Sequence, residues 1–191
     1  YIYNYIALSF LCATLLGCTS TNENSSIFFG GKIINPKTKF VVLYANDKVI
    51  DTLLLNDSNK FLGTYDNLNE GLYYFQHGNE NQYIYLEPKD SLMLRLNTWD
   101  FDESLVFAGK GAERNNILID IFLETENERK DFYQLNNLNA KAYKSKIDSI
   151  VKLKLHTYND YKEKHPKETE SYFKILETAL VYPIYSRVER Y

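Results

Sequence analysis

The sequence predicts a mainly β N-terminal domain, an antiparallel sandwich or barrel-like sheet, followed by an α-helical segment of about three helices. Three observations predict it. Between residues 27 and 108, short apolar runs alternate with a period of two and are separated by clusters of Asn, Asp, Gly and Pro. From residue 112 onward the apolar spacing lengthens to three and four, the period of a helix with one buried face. The chain of 191 residues also carries 17 Tyr and 11 Phe, an aromatic load suited to a β-rich core with hydroxyls at its margin.

The expected strands are 27–34, 39–45, 48–55, 60–65, 71–77, 82–87, 91–97 and 104–108. Asn35-Pro36, Asn46-Asp47, the run 56–59, Asn69-Glu70-Gly71, Gly78-Asn79 and Pro88-Lys89-Asp90 punctuate them. No helix-length segment falls among them, so crossover helices are missing and a parallel sheet is excluded. In 91–97, Leu92, Leu94 and Leu96 share one face and Met93, Arg95 and Asn97 the other, which predicts one buried and one partly wet face. In 82–87, Tyr83 and Tyr85 oppose Ile84 and Leu86, which makes the tyrosine pair either a support for a sheet face or a candidate docking surface.

Gly109 and Gly111 close the β block. A first helix is expected over 113–128 with Ile117, Leu118, Ile121 and Phe122 inward, the run 126–130 being a solvated face or a helix end. A second is expected over 140–163, with Tyr143, Ile147, Leu155 and Tyr158 on its stripe and His165-Pro166 as its stop. A third begins near Lys167, turns Phe173, Leu176 and Leu180 inward, and bends or stops at Pro183. The closing residues YSRVERY lack capping and stop-like polarity, which reads as a chain cut inside a helical region.

Before the β block stands a different kind of sequence. Residues 1–17 carry no charge and hold an apolar run from Ile6 to Leu16, too short for a membrane span but matched to the core of a secretory signal. Leu15-Leu16-Gly17-Cys18 resembles the lipobox of bacterial lipoproteins, in which the cysteine is acylated and becomes the new N-terminus. The resemblance implies lipidation of Cys18 and an envelope location, at the inner or outer membrane, facing the periplasm or the surface. Thiolate chemistry suits thioether formation, and several acyl chains give a firm hold. The first residue is Tyr and no positive region precedes the apolar run, so the chain reads as truncated at its N-terminus. Residues 18–26 supply the lipidated cysteine and a polar tether, 27–108 the β-domain and 109–191 the helical region.

A second resemblance covers the folded part. The pattern Phe29-x-Gly31-x-Ile33-x-Asn35, Asp51-Thr52, Phe61, Gly71-x-Tyr73, Leu86-x-Pro88-x-Asp90-Ser91-Leu92 and Phe107-x-Gly109-x-Gly111-Ala112-Glu113-x-Asn115 is similar to the N-terminal region of Bacteroidota lipoproteins of the TlpA/ResA-like thiol-disulfide oxidoreductase group. The resemblance implies a C-terminal thioredoxin-like domain in the parent protein, absent from this sequence.

Catalytic chemistry is hard to find in the sequence. A formal net charge of −3, from 22 Lys+Arg and 25 Asp+Glu, leaves no basic footprint for nucleic acid. His77, His156 and His165 have no zinc-motif spacing, and His77 reads as a surface turn residue. Asp120, Glu124, Glu126 and Glu128 lie beside Arg129 and Lys130 as a solvated face. Gly30-Gly31 and Gly109-Lys110-Gly111 lack the context of a phosphate loop, and Asp90-Ser91 reads as a backbone cap. No cysteine follows Cys18, so the dithiol chemistry of the resembling group has no residues here. The expected function is therefore a membrane-tethered, non-catalytic docking region of such a lipoprotein, with no cofactor and no metal. The alternative is a stand-alone lipoprotein binding a glycan, peptide or envelope protein through its Tyr-rich sheet face.

Overall fold

The computed structural model describes residues 25–189. Cys18, the expected lipidation site, and the expected signal segment 1–17 therefore lie outside the described residues. Eight strands come first: β1 (Ile27–Ile34), β2 (Phe40–Ala45), β3 (Lys48–Leu54), β4 (Lys60–Tyr65), β5 (Gly71–His77), β6 (Glu80–Leu86), β7 (Ser91–Asn97) and β8 (Val106–Ala108). Three helices follow: α1 (Ala112–Leu135), α2 (Ala140–Lys164) and α3 (Glu170–Val188).

The strands form two four-stranded sheets, ordered β4-β1-β7-β8 and β3-β2-β5-β6. They face each other as a sandwich and do not close into a barrel. The expected antiparallel pairing holds except between β1 and β7, which run parallel from Phe28 opposite Ser91 to Ile34 opposite Asn97. The intervening strands β2 to β6 carry the chain back, so no crossover helix is needed. The turns behave as their residues predict: Asn46 and Asp47 both take positive φ in the β2–β3 hairpin, and Asn35 and Asn59 do likewise at their turns.

Alternation places one residue in two between the sheets. Ile27, Phe29, Leu43, Phe75, Ile84, Leu92 and Leu96 are fully buried there, and Phe29 meets Phe61 on the neighbouring strand of its own sheet and Phe75 across the core. The Leu92, Leu94, Leu96 face is the buried one, as its pattern requires.

The helices differ in their ends from the sequence expectation. α1 runs through the charged 126–130 stretch to Leu135, because Phe132 continues its apolar stripe and is buried against Tyr143, Ile147 and Ile184. α3 starts at Glu170, where the Thr169 hydroxyl accepts the Tyr172 N–H at 3.1 Å as an N-cap. Pro183 neither stops nor ends α3, which continues to Val188 and buries Ile184 immediately after the proline. Packing of that face outweighs the one backbone hydrogen bond that proline removes.

Candidate functional site

The turn after β6 carries Glu87, Pro88, Lys89 and Asp90. Lys89 sits at φ +72°, a conformation lysine seldom takes, and the turn folds Asp90 back so that its Oδ2 accepts the Glu87 N–H at 2.9 Å. Gly109 and Gly111 close in from the other side, both with left-handed φ. A Cβ on Gly111 would stand 2.7 Å from Asp90 Oδ2, and one on Gly109 would stand 2.0 Å from the Ser91 carbonyl oxygen. Glycine at both positions lets the first turn of α1 lie directly on Asp90.

That contact places Arg114 over the carboxylate. Its Nη2 donates to both oxygens of Asp90 at 2.7 Å, while Nη1 reaches Glu168 at 2.9 Å and Glu87 at 3.1 Å. Glu168 belongs to the turn between α2 and α3, so one guanidinium gathers the sandwich, α1 and the far helical turn. Burial pushes the carboxyls of Asp90 and Glu87 up, and Arg114 opposes the shift in both. Burial works against the charge on Arg114 too, but its hydrogen bonds to Asp90 and Glu168 hold its pKa above the ordinary value. The short contacts to both Asp90 oxygens, together with the Glu87 N–H, are those of an ionised pair. Among the described residues, no cluster of three side chains that could hold a metal ion is found.

The next two residues of α1 fasten the sandwich edges. Asn115 Oδ1 accepts the Tyr85 N–H at 2.7 Å and Asn115 Nδ2 donates to the Tyr85 carbonyl at 2.9 Å. Asn116 repeats the arrangement on Phe107, at 2.9 and 3.1 Å. β6 and β8 are the edge strands of the two sheets on this side, so consecutive asparagines cap both edges.

Tyr83 and Tyr85 leave β6 on the same face, as the alternation predicts, but they do not form an exposed pair. Tyr85 is fully buried, packed edge-on against Tyr172 at 5.2 Å, while Tyr83 is 56% exposed. The Tyr85 hydroxyl and the Thr169 hydroxyl both donate to Glu70, and burial pushes the Tyr85 phenol up to about 12. The helices therefore occupy one half of this sheet face.

The other half is uncovered. Tyr44 of β2 stacks on Tyr74 of β5 with rings 4.7 Å apart and 6° from parallel, and Tyr74 meets Tyr83 edge to face at 5.7 Å. The Tyr74 hydroxyl donates to Asp47 at 3.2 Å. Phe40 and Leu72, each 40% exposed, lie on the same face. The three tyrosines form a cross-strand row beside the helical half, with Tyr83 as its most exposed member.

Other residues singled out by the sequence take structural places. His77 is buried and not a surface residue: its Nε2 accepts the Lys37 N–H at 3.0 Å and its Nδ1 donates to the Phe40 carbonyl at 2.9 Å. The hairpin folds over it because that ring satisfies two backbone groups of the 35–40 loop. Glu124 and Glu128 are tied to the buried Lys154 of α2 at 2.8 and 3.0 Å, and Glu126 pairs with Arg129 at the surface. His156 lies near Asp160 and His165 near Glu113, apart from each other. Gly30 and Gly31 sit within β1. Arg114, Asn116, Glu87 and Glu168 carry the fastening, and their roles had no local signal in the sequence beyond a charged residue near a turn. Among the described residues, no helix is long and apolar enough to cross a membrane. Compared with family models, characterised proteins and solved structures, the chain matches none.

Proposed function

We propose that this chain is a membrane-tethered, non-catalytic docking region, held at the envelope through Cys18 and engaging a protein partner with the tyrosine row of its outer sheet. The observation that carries the reading is the contrast on one sheet face: helices bury Tyr85, while beside it Tyr83 is exposed and backed by the half-buried Tyr74 and Tyr44. Tyrosines and their apolar neighbours are favoured at protein interfaces because they bury much area at small entropic cost. The ionisable cluster around Arg114 is consumed in fastening, which supports a binding role over a catalytic one. The resemblance to redox lipoproteins makes a thioredoxin-like domain, in the parent protein or beside it, the partner of choice.

A glycan platform is the second reading, and the row's geometry speaks against it. A sugar ring stacks on an open aromatic face, whereas Tyr44 and Tyr74 turn faces toward each other and Tyr83 is engaged edge to face.

The experiment places a photo-crosslinking amino acid at Tyr83 and, as control, at the exposed Leu153 of α2, in cells expressing the chain with its own leader. The expected result is an adduct with one envelope protein from position 83 only, together with acyl labelling that Cys18→Ala abolishes. Equal adducts from both positions would remove the docking reading. Acyl labelling unchanged in Cys18→Ala would remove the tether.

A further inference from the structure

Residues of α1, α2 and α3 line a half-open cavity of about 450 Å³, within the range of small-molecule sites. Its walls include Phe132, Tyr133, Tyr143 and Pro183, and its charged lining is Glu126, Arg129 and Arg187. Glu126 and Arg129 are already paired with each other at 2.6 Å, both well exposed at the rim. Among the described residues, Arg187 is the lining cation without an ion pair.

The surroundings of Arg187 hold its guanidinium in place without neutralising it. Its plane lies over the Phe132 ring at 4.3 Å, and Nη2 donates to the Thr125 carbonyl at 2.9 Å. Nη1 is shielded from water and has no acceptor among the described residues. No carboxylate among the described residues forms an ion pair with Arg187, unlike Arg114 and Arg129. A guanidinium that lines a cavity without a carboxylate partner is an anion receptor, and a carboxylate is the anion whose charge and planar shape fit its unshielded N–H groups. Aromatic and proline walls beside the charge call for an apolar group on the same molecule.

We propose that this cavity binds a carboxylate carrying a hydrophobic group, with Arg187 as the anion receptor and Phe132, Tyr133 and Tyr143 as the apolar walls. The carboxylate meets Arg187 as a charge-assisted hydrogen bond while the ring holds the guanidinium from behind. The chemistry is shared by free aryl or alkyl acids and by the C-terminus of a polypeptide ending in an apolar residue.

The test titrates the full chain, labelled for nuclear magnetic resonance, with N-acetyl-phenylalanine, and follows the amides of Thr125, Phe132 and Arg187. Saturable shifts there are expected, with none from N-acetyl-phenylalanine amide, which has the ring but not the charge. R187M is expected to weaken binding about tenfold or more, the size of a lost charge-assisted hydrogen bond. Y133A, at an exposed wall that does not hold the fold, is expected to weaken it as well and covers the case in which R187M fails to fold. Acetyl-Gly-Gly-Phe separates the two sources: tighter binding assigns the site to a polypeptide end, and exclusion assigns it to a free acid. Equal shifts from the amide, the same shifts from inorganic phosphate alone, or unchanged affinity in both variants would overturn the proposal.

Discussion

The side-chain amide of Asn115 pairs with the backbone of Tyr85 in both directions, at 2.7 and 2.9 Å, in the place where a further strand of the sheet would run. A helix thereby ends a sheet with one residue. Asn115 also donates to the Gly111 carbonyl at 2.8 Å, so it ties the first turn of its own helix to the strand. The join between sandwich and helices is made of directed polar contacts as well as the apolar cluster around Tyr85 and Tyr172.

Replacing Asn115 by Ala removes partners from the buried N–H and carbonyl of Tyr85. Each orphaned group is expected to cost about 1–3 kcal/mol, visible in denaturant unfolding, and the Tyr85 amide should exchange with solvent faster than in the parent chain. Asn116→Ala, at a less buried position, should cost less. Equal and small losses for the two would show that the clasp at Tyr85 contributes little.

Arg114→Met leaves Asp90 buried without its cation and is expected to destabilise by about 3–5 kcal/mol. Asp90→Asn added to it removes the stranded charge, and the double variant should regain part of the loss. A double variant as unstable as the sum of the two single changes would mean that the pair is not coupled. Thermal and denaturant unfolding of the four proteins measures this.

His77 gives the fold a dependence on mild acid. Burial holds its imidazole below the ordinary value of 6.5, and Nε2 must stay unprotonated to accept the Lys37 N–H. The folded state thus binds the proton less readily than the unfolded chain. This contribution is fully present above pH 6.5 and is lost as the pH falls from there toward the lowered folded value. Unfolding free energy followed across that window should decline, and the decline should be shallower in His77→Gln. An unchanged slope in the variant would assign the acid sensitivity to other groups.

Tyr83 and Tyr85 separate binding from stability. Tyr83→Ala touches an exposed side chain and should change stability by less than about 0.5 kcal/mol while reducing adducts from a crosslinking residue placed at the exposed Leu72 of the same face. Tyr85→Ala opens a cavity between sheet and helices and should cost about 3–5 kcal/mol. Loss of partner capture in Tyr85→Ala alone, with Tyr83→Ala unaffected, would move the docking surface off the row.

Much of this architecture is local, and local patterns were enough to read it. Strict alternation in the leucines of β7 identified the buried face, and the Asn46-Asp47 pair marked a hairpin because those residues accept positive φ. Helix ends were less legible, since the charged 126–130 run reads as a boundary until Phe132 is seen to bury itself against α2 and α3.

By itself, the sequence determined an antiparallel β block, sandwich or barrel-like, a helical block behind it, and the absence of cysteine from the folded part; that the sheets form a sandwich came from the structure. Only the tertiary structure decided which polar residues matter. Asp90 and Arg114 are 24 residues apart, and Glu168 is 54 residues beyond Arg114. Their charges meet because β7 pairs with both β1 and β8 and the helices fold back over β6, long-range events that no local period encodes. The same folding divided two tyrosines that alternation treats alike, burying Tyr85 under α3 and leaving Tyr83 in solvent, because a helix is too narrow to cover the whole width of a sheet.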